Sequence, residues 1–458
     1  MPWPPANKVA GVTRGMTADL DWLWSWGNGQ VINPKDNYYG ALGNNSGNDA
    51  PAINNAIADA VAGPYPLFLP PGTYLLGAPL SVGGTLNFLG AGRESSILQL
   101  ANGVNDSVIK FTQGSGAITG ARFADFTVNG NGLNQSAGHG ISAVGAVQSS
   151  FERIHCTSVW GFGLALQPIP GGAFGHHNRV VGCLFDGAVA AGNGGGVWTT
   201  SSDENFFWGC DFEYLGGTTA PSGGGSFPVM FYDQAGLQMI DHCCFVGARG
   251  NNLNVVGIRV TNANQTRITG CTFDGVGGDN VMLVGNDNVV VANEFTSVGD
   301  QGTVNTAAGV HTEFGALRNI IMGNNLSTSS TAGKTGWLIY EQQIGNSGSN
   351  VIEGNTLRVQ GSVGTALLAT AGIASITRGN IGYNPVGKLG PPAVPATTVA
   401  LVNPYNVDCD VNITGGTVTV ISIGGQATGQ TSGKVFVPAG QSITLTYSVA
   451  PTWTWFGA

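Results

Sequence analysis

The sequence predicts an all-β solenoid, and three observations support this prediction. Of 458 residues, 74 are glycine and only 9% are charged, which is typical of β-structure with frequent tight turns. Aliphatic or aromatic residues recur along the chain, each with a Phe or Leu five positions later. Between the two residues of such a pair, a Cys or Asn usually stands, and it recurs at intervals of 22 to 33 residues: Cys156, Cys183, Cys210, Cys243, Cys271, Asn293, Asn324 and Asn355. One supersecondary unit stacked on itself gives such a pattern.

The repeated Cys and Asn residues are interpreted as a ladder of buried side chains. A small residue usually stands one position before each, with His242 as an exception; Cys156 fits only after a one-residue slip, and Asp125 and Asn380 are looser continuations. Equivalent side chains on stacked strands form a file about 4.8 Å apart. Buried Cys acts as a small apolar residue, and Asn amides can hydrogen-bond along the file. The cysteines lack metal-site spacing, so we predict no metal and no cofactor.

Composition also limits the possible partners. The net charge of −9 argues against capture of nucleic acid or anionic lipid. No apolar run reaches the 18 or so residues that a membrane helix needs, and the first residues lack the pattern of a signal peptide. We therefore expect no nucleic-acid partner and no membrane insertion.

Two elements precede the repeat. Residues 1–36 hold four tryptophans, Trp3, Trp22, Trp24 and Trp26, and form either a flap over the first coil or a docking segment. Residues 49–62 predict a helix, with Asp49 as the cap and Gly63 at the end. An apolar face on this helix would close the open end of a solenoid.

A resemblance to a known superfamily follows from residues 37–100. Asn37-Tyr38-Tyr39-Gly40-Ala41, the helix, Leu69-Pro70-Pro71-Gly72-Thr73-Tyr74 and Leu89-Gly90-Ala91-Gly92 occur in the order found at the start of pectate-lyase-like proteins. The chain resembles the tailspikes and tail fibres of bacteriophages within that superfamily. The resemblance implies a right-handed single-stranded parallel β-helix over residues 37–384. It says little about chemistry, because this fold hosts lyases, hydrolases and non-enzymatic binders.

The carboxy-terminal part has a different character. Four prolines in residues 385–398 predict a stiff linker. Residues 399–458 alternate short strands with glycine turns and predict a small β-domain, which resembles a terminal module of phage tail proteins. Because about 60 residues is marginal for an independent fold, this domain is a candidate for trimerisation or for the tip. The alternative is a module that caps the last coil.

Carboxylates on the outer face are the candidates for catalysis. Asp186 and Glu213 should occupy equivalent positions on neighbouring coils, and Asp211 lies beside them. A close carboxylate pair suits glycoside hydrolysis, and their repulsion would raise one pKa. The alternative is that Asp186 belongs to an ordinary Asp-Gly turn and the others only solvate the surface. The histidines show no metal spacing and receive no role.

Aromatic residues concentrate in the same coils. The candidates for binding glycan are Trp160, Trp198, Trp208, Tyr214 and Tyr232, because flat rings suit the apolar faces of sugars. The alternative is that folded loops bury these rings.

The functional expectation is a bacteriophage tail spike or fibre protein of the virion. It would recognise a host cell-surface polysaccharide as a homotrimer and attach to other tail proteins through its amino-terminal segment. Two rivals stay open: a polysaccharide depolymerase, hydrolase or lyase, that uses Asp186, Asp211 or Glu213, and a purely structural virion component.

Overall fold

The computed structural model describes most of the chain. The described residues are 31–63, 65–112, 114, 116–171, 175–187, 195–213, 229–247, 255–261, 263–300, 307–330, 334–342, 349–360, 368–369, 375–382, 388–405 and 407–457. The tryptophans predicted to dock, Trp3, Trp22, Trp24 and Trp26, lie outside them, as does Tyr214.

The central body is a parallel β-helix with three long sheets, which confirms the predicted fold class. Within the described residues, sheet A has twelve strands: Leu67–Leu69, Asn87–Gly90, Arg122–Ala124, Ser150–Glu152, Arg179–Val181, Phe206–Trp208, Met239–Asp241, Arg267–Thr269, Val289–Val291, Ile320–Met322, Val351–Glu353 and Ile376–Arg378. Sheet B has eleven: Gly72–Leu76, Ser96–Leu100, Thr127–Asn129, His155–Thr157, Leu184–Asp186, Asp211–Glu213, Cys244–Val246, Thr272–Asp274, Glu294–Val298, Asn325–Thr328 and Thr356–Arg358.

Sheet C completes each coil. Its eleven described strands are Leu80–Val82, Ile109–Phe111, Ile141–Val144, Leu164–Gln167, Val197–Thr200, Val229–Gln234, Val256–Val260, Val281–Leu283, Ala307–Thr312, Thr335–Glu341 and Leu368–Ala369. A short sheet D stacks Ile118–Thr119, Ala146–Val147, Gly175–His176 and Ser202–Asp203 between sheets C and A. A 3-10 turn covers Gly132–Asn134.

The turn from sheet A to sheet B explains the repeat. The residue before each ladder position is left-handed, with φ of 49° to 64°, at Asp125, Arg153, Gly182, Gly209, His242, Gly270, Ala292, Gly323, Gly354 and Gly379. Glycine adopts this conformation without steric cost, so the preference for a small residue is a preference of the backbone. The four positions without glycine have the same left-handed φ, so the turn keeps one backbone shape from coil to coil.

The ladder column itself needs two corrections. Hydrogen bonds across the coils align Cys183 with Ile154 rather than with Cys156, because the N–H of Leu184 donates to the carbonyl of Ile154. Cys156 instead pairs in register with Phe185, inside sheet B. Asn380 is a full member, since its Oδ1 accepts from the N–H of Asn355 at 3.0 Å, whereas Asp125 is the left-handed residue of its turn. The column is Cys183, Cys210, Cys243, Cys271, Asn293, Asn324, Asn355 and Asn380.

A second polar column lies five residues earlier, where the chain enters sheet A. Asn178 donates its N–H to Oδ1 of Asn205 at 3.0 Å, and Asn319 donates likewise to Asn350 at 2.8 Å. The sequence analysis missed this column. Hydrogen bonds in both columns join each coil to the next. They therefore fix the relative positions of the side chains on the outer faces of neighbouring strands.

The helix runs over Ala50–Ala62 and packs against the first strands of the three long sheets. Its buried face includes Ile53 and Ile57, as predicted. Asp49 makes no side-chain cap, because its carboxylate instead accepts the N–H groups of Leu42 and Gly43, at 2.6 and 3.1 Å. Within the described part of the chain, no helix is both long and apolar enough to cross a membrane.

The carboxy-terminal residues form two antiparallel sheets with their own core. One sheet contains Lys388–Leu389, Cys409–Thr414, Gly433–Val437 and Thr452–Gly457; the other contains Ala400–Val402, Thr417–Ile423, Gln426–Ala427 and Ser442–Val449. The proline-rich segment joins them: Leu389 pairs with Trp455, and Trp453 Nε1 donates to the carbonyl of Pro392 at 2.7 Å. The residues predicted as a linker thus contribute a strand and hydrogen bonds to this domain.

Candidate functional site

The predicted carboxylates lie on the outer face of sheet B. Asp186 pairs in register with Glu213, and Leu184 pairs with Asp211, so Asp211 is diagonal to Asp186 on the next strand. The intervening Phe185 and Phe212 are buried in the core, which turns the acids outward. A strand spacing of about 4.8 Å and two residues of rise put the Cα atoms of Asp186 and Asp211 about 8 Å apart.

Asp186 belongs to a cluster that includes His155, to which the sequence analysis gave no role. Nε2 of His155 lies 3.0 Å from Oδ2 of Asp186, and Nδ1 lies 3.0 Å from Oε1 of Glu94. Burial acts to raise the pKa of Asp186, but His155 and Thr157 outweigh it and hold the pKa below its usual value. Burial acts to lower the pKa of His155, but Asp186 and Glu94 outweigh it and raise the pKa.

Asp211 has the opposite electrostatic environment. Burial raises the pKa of its carboxyl, and the positive charge of Arg93 offsets only part of this effect. Two carboxyls whose surroundings drive their pKa values apart can take the separate roles of base and acid. The structure therefore favours Asp211 over Asp186 as a proton donor.

The predicted aromatic residues do not share one face. Trp208 is on the outside of sheet A, 46% exposed, between Val181 and Asp241 in register. Trp198 and Tyr232 are register partners on sheet C, and Trp160 is half-buried in the connection from sheet B to sheet C. Tyr232 is fully buried rather than exposed. The acids, Trp208 and the pair of Trp198 and Tyr232 thus occupy three different sheets.

Sheet C carries a column of large side chains that the sequence analysis did not group. Successive register partners along its outer face are Trp198, Tyr232, Arg259, Met282, His311 and Tyr340. We call these six residues the sheet C column. Its members recur one per coil, so neighbouring positions are about 4.8 Å apart along the solenoid axis.

Aromatic rings stand at both ends of the sheet C column. At one end, Trp198 packs near the rings of His139 and Phe162, at 5.9 and 5.8 Å between centroids. At the other end, Tyr340 stacks on Trp337 at 4.2 Å. Trp198, Trp337 and Tyr340 are half-buried, so part of each ring faces outward.

His311 is the histidine of the sheet C column, between Met282 and Tyr340 in register. Its Nδ1 lies 2.7 Å from Oδ2 of Asp279, and its Nε2 lies 3.2 Å from Oε1 of Gln342. Burial acts to lower the pKa of His311, but Asp279 outweighs it and the pKa is raised. The ring also lies 4.8 Å from that of Tyr340.

One described cluster could hold a metal ion. The ligand atoms of His176, His177 and Glu204 lie within 4.8 Å of one another. Nδ1 of His176 is 2.5 Å from Nδ1 of His177, and Nε2 of His177 is 2.8 Å from Oε2 of Glu204. Each group thus already has a partner, and the cluster is a hydrogen-bonded surface chain as it stands.

Comparison with known proteins shows a likeness in the amino-terminal coils. Residues 32–160 match the family described as Rhamnogalacturonase A/epimerase, pectate lyase-like. The matched residues belong to the parallel β-helix domain. The match covers the amino-terminal coils of this domain, and comparison with curated proteins gave no significant match.

Solved structures share the fold over most of the chain. ORF18 of Geobacillus virus E2 is 17% identical, with a TM-score of 0.54 over 95% of this chain and 77% of that chain. The enzymatically active domain of tailspike protein 2 of bacteriophage CBA120 is 13% identical, with a TM-score of 0.51 over 92% of this chain and 69% of that chain. The A-module of the mannuronan C-5 epimerase AlgE6 of Azotobacter vinelandii is 17% identical, with a TM-score of 0.48 over 77% of this chain and 100% of that chain. The parallel β-helix fold is thus shared with the two phage proteins at low sequence identity.

Proposed function

We propose that this protein is a phage tail spike or fibre component of the virion that recognises a host cell-surface polysaccharide as a homotrimer. The sheet C column carries the proposal for recognition. The half-buried rings of Trp198 and Tyr340 stand at its two ends, and the polar groups of Arg259 and His311 lie between them, which suits sugars with apolar faces and polar edges. The shared fold of the phage proteins suggests the virion, and residues 1–36 are the proposed attachment to other tail proteins.

The outer face of sheet A supports association between copies of the chain. Trp208, Met239 and Met322 are 46%, 49% and 39% exposed. Half-buried apolar residues continue their two rows: Phe206, Val289, Val291, Ile320, Val351 and Ile376. Asp241, Arg267 and Thr269 interrupt this strip of apolar residues. An apolar strip on a sheet face is typical of a subunit interface. We propose that copies of the chain meet along this strip and through the carboxy-terminal domain.

A matched pair of variants tests recognition and assembly separately. The full-length protein would be tested for binding to capsule and cell-wall polysaccharides and for molar mass by light scattering. We expect Trp198→Ala to weaken polysaccharide binding about tenfold or more, with the trimer intact. Trp208→Ala should leave binding nearly unchanged and weaken the trimer. Loss of binding in Trp208→Ala alone would instead place the glycan on sheet A, and a monomeric wild type would contradict the trimer.

A polysaccharide depolymerase is the second candidate, because Asp186 and Asp211 have pKa values shifted in opposite directions. Asp186 would act as the ionised base and Asp211 as the protonated acid of an inverting hydrolase, in which the two carboxyl groups leave room for a water molecule. Activity should then rise as Asp186 ionises and fall as pH passes the raised pKa of Asp211.

Reducing-end release is the measurement for this candidate. Asp186→Asn and Asp211→Asn should each lower release by at least about 100-fold. Glu294→Gln is the matched control, since Glu294 is on the same face, three strands beyond Asp211 in register, and is exposed. Binding without any shortening of the polymer would reject the depolymerase and leave the recognition spike.

A further inference from the structure

Arg259 differs from the other arginines among the described residues, because it is buried and no described carboxylate pairs with it. The side chains of Arg122, Arg153, Arg318 and Arg378 are all more exposed, and each pairs with an acid on a neighbouring coil. Arg259 is only 8% exposed. An arginine stays charged at any ordinary pH, so burying it without a counter-charge is costly.

The hydrogen bonds around Arg259 leave its outer nitrogens available. Its Nε donates to Oγ1 of Thr261 at 3.1 Å, and no described carboxylate pairs with it. The acidic residues nearest to Arg259 on its own and the neighbouring coils already accept hydrogen bonds from other groups. Asp233 accepts from Thr199 and Thr266, and Asp279 accepts from His311 and from the N–H of Ala308. The bond to Thr261 therefore fixes the guanidinium while its two terminal N–H2 groups lack an acceptor among the described residues.

The neighbours of Arg259 place it inside the sheet C column. Tyr232 and Met282 are its register partners, and His311 is one coil beyond Met282. Both ring nitrogens of His311 face acceptor oxygens, which favours the imidazolium form. The column thus has an aromatic residue on one side of the guanidinium and a second cationic group about 10 Å away on the other.

We propose that Arg259 binds the carboxylate of an acidic sugar, so that the glycan recognised on sheet C is a carboxylated polysaccharide. This inference rests on the proposed glycan recognition and specifies its substrate class. A carboxylate can accept both terminal N–H groups of a guanidinium side by side, and it would supply the counter-charge that the described residues do not. The apolar surface of Tyr232 and Met282 lowers the local dielectric and strengthens the pair. The net charge of −9 repels acidic polymers in general, so binding depends on this local site.

Paired polymers that differ only in their carboxylates test the inference. The full-length protein would be titrated with polygalacturonate, hyaluronate and polysialate, and with the carboxyl-reduced form of each. At least one acidic polymer should bind ten times or more tightly than its reduced form. Arg259→Gln should remove that preference, whereas Arg267→Gln, on the exposed face of sheet A, should retain it.

A stability measurement guards against a variant that fails to fold. Arg259→Met removes an uncompensated buried charge, so its melting temperature should equal or exceed that of the wild type. The acidic polymer that binds should raise the melting temperature of the wild type and not that of Arg259→Met.

Four results would overturn the inference. Equal binding of acidic and reduced polymers, unaffected by Arg259→Gln, would reject the carboxylate subsite and leave polysaccharide recognition standing. Binding of neutral host polysaccharides alone, with no affinity for the three acidic polymers, would have the same consequence. A marked fall in the melting temperature of Arg259→Met, with no polymer effect on the wild type, would make Arg259 a structural residue. Absence of binding to any polysaccharide, neutral or acidic, would reject the proposed function as well.

Discussion

The ladder column has a thiol half and an amide half, and they hold the coils together in different ways. In the thiol half, Sγ of Cys183 donates to the carbonyl of Phe151 at 3.4 Å, and burial raises the pKa of this thiol, which keeps its proton in place. In the amide half, Nδ2 of Asn324 donates to the carbonyl of Val290 at 2.9 Å. In addition, Oδ1 of Asn324 accepts from both N and Nδ2 of Asn293, each at 3.0 Å.

Aromatic stacking follows the thiol half and ends where the amides begin. Phe185, Phe212, Phe245, Phe273 and Phe295 stack with centroids 4.5 to 5.0 Å apart, and Leu326 and Leu357 continue the same row. A thiol bonds weakly to one neighbour, whereas an amide bonds strongly to both. The comparison indicates that stacked rings stabilise the coils with weak polar links, and that amides stabilise the coils without rings.

The largest expected effect is from Phe245→Ala, in the middle of the stack. It should lower the free energy of unfolding by about 3–5 kcal/mol, because it leaves a cavity and removes two ring contacts. Leu326→Ala is the counterpart in the amide half and should cost less, since the amides still join its coil to both neighbours. Urea unfolding followed by tryptophan fluorescence measures both; an equal or larger cost for Leu326→Ala would contradict the comparison.

Asn324→Ala should have the next largest effect, about 3 kcal/mol, because it leaves two buried N–H donors of Asn293 without their acceptor. Asn412→Ala is the control: Asn412 is exposed on the carboxy-terminal domain, and its replacement should change stability by less than about 0.5 kcal/mol. The same urea titration compares the two. A cost for Asn324→Ala below about 1 kcal/mol would mean that the amides fill space without linking coils.

A smaller effect is expected where the two halves meet. The N–H of Cys271 already donates to Oδ1 of Asn293 at 2.9 Å, and its Sγ donates to the carbonyl of Ile240 at 3.6 Å. Cys271→Ala should cost about 1 kcal/mol. Cys271→Asn should stay within about 1 kcal/mol of the wild type, because the new amide extends the amide half by one coil. Calorimetric melting temperatures test this pair, and Cys271→Asn falling below Cys271→Ala would show that the thiol half has no room for an amide.

The smallest effect concerns the left-handed residue before the ladder. Ala292 and Gly323 both have positive φ, 56° and 64°, and a Cβ at Gly323 would meet nothing within 4 Å. Gly323→Ala should therefore lower stability by about 1 kcal/mol through backbone strain alone, and Ala292→Gly should raise it by less than about 1 kcal/mol. Differential scanning calorimetry resolves the two signs; a shift of the same sign in both would mean that side-chain contacts decide these positions.

The sequence correctly predicted the features that depend on the turn from sheet A to sheet B. That turn has constant length, so the spacing from Val180 to Cys183 to Phe185 recurs, and it places Asp186 beside Glu213 correctly. The polar column five residues before the ladder was visible as Asn178, Asn205, Asn288, Asn319 and Asn350, but Gln238 and Thr266 interrupt it. Cys156 was misplaced because a matching residue type stood two positions after Ile154, which occupies the column in that coil.

The strand register of sheet C could not be predicted from the sequence. The connections from sheet B to sheet C differ in length from coil to coil, so no fixed offset relates Trp198, Arg259 and His311 to the ladder. Their proximity depends on strand register, and the burial of Arg259 without a carboxylate depends on packing. The pKa of Asp186 is lowered by His155, which is distant in sequence, and the pKa of Asp211 is raised by burial, which depends on packing.

The amide half also has a direction. The N–H of each ladder residue donates to the side chain of the coil that follows it in the chain, from Asn293 to Asn324, Asn355 and Asn380. During synthesis on the ribosome, every newly formed coil therefore carries an unfilled donor until the next coil emerges. The coils are therefore completed in one direction, from the amino-terminal to the carboxy-terminal end. A chain that stops before Asn380 leaves the N–H of Asn355 without this acceptor, and synthesis of Asn380 supplies it.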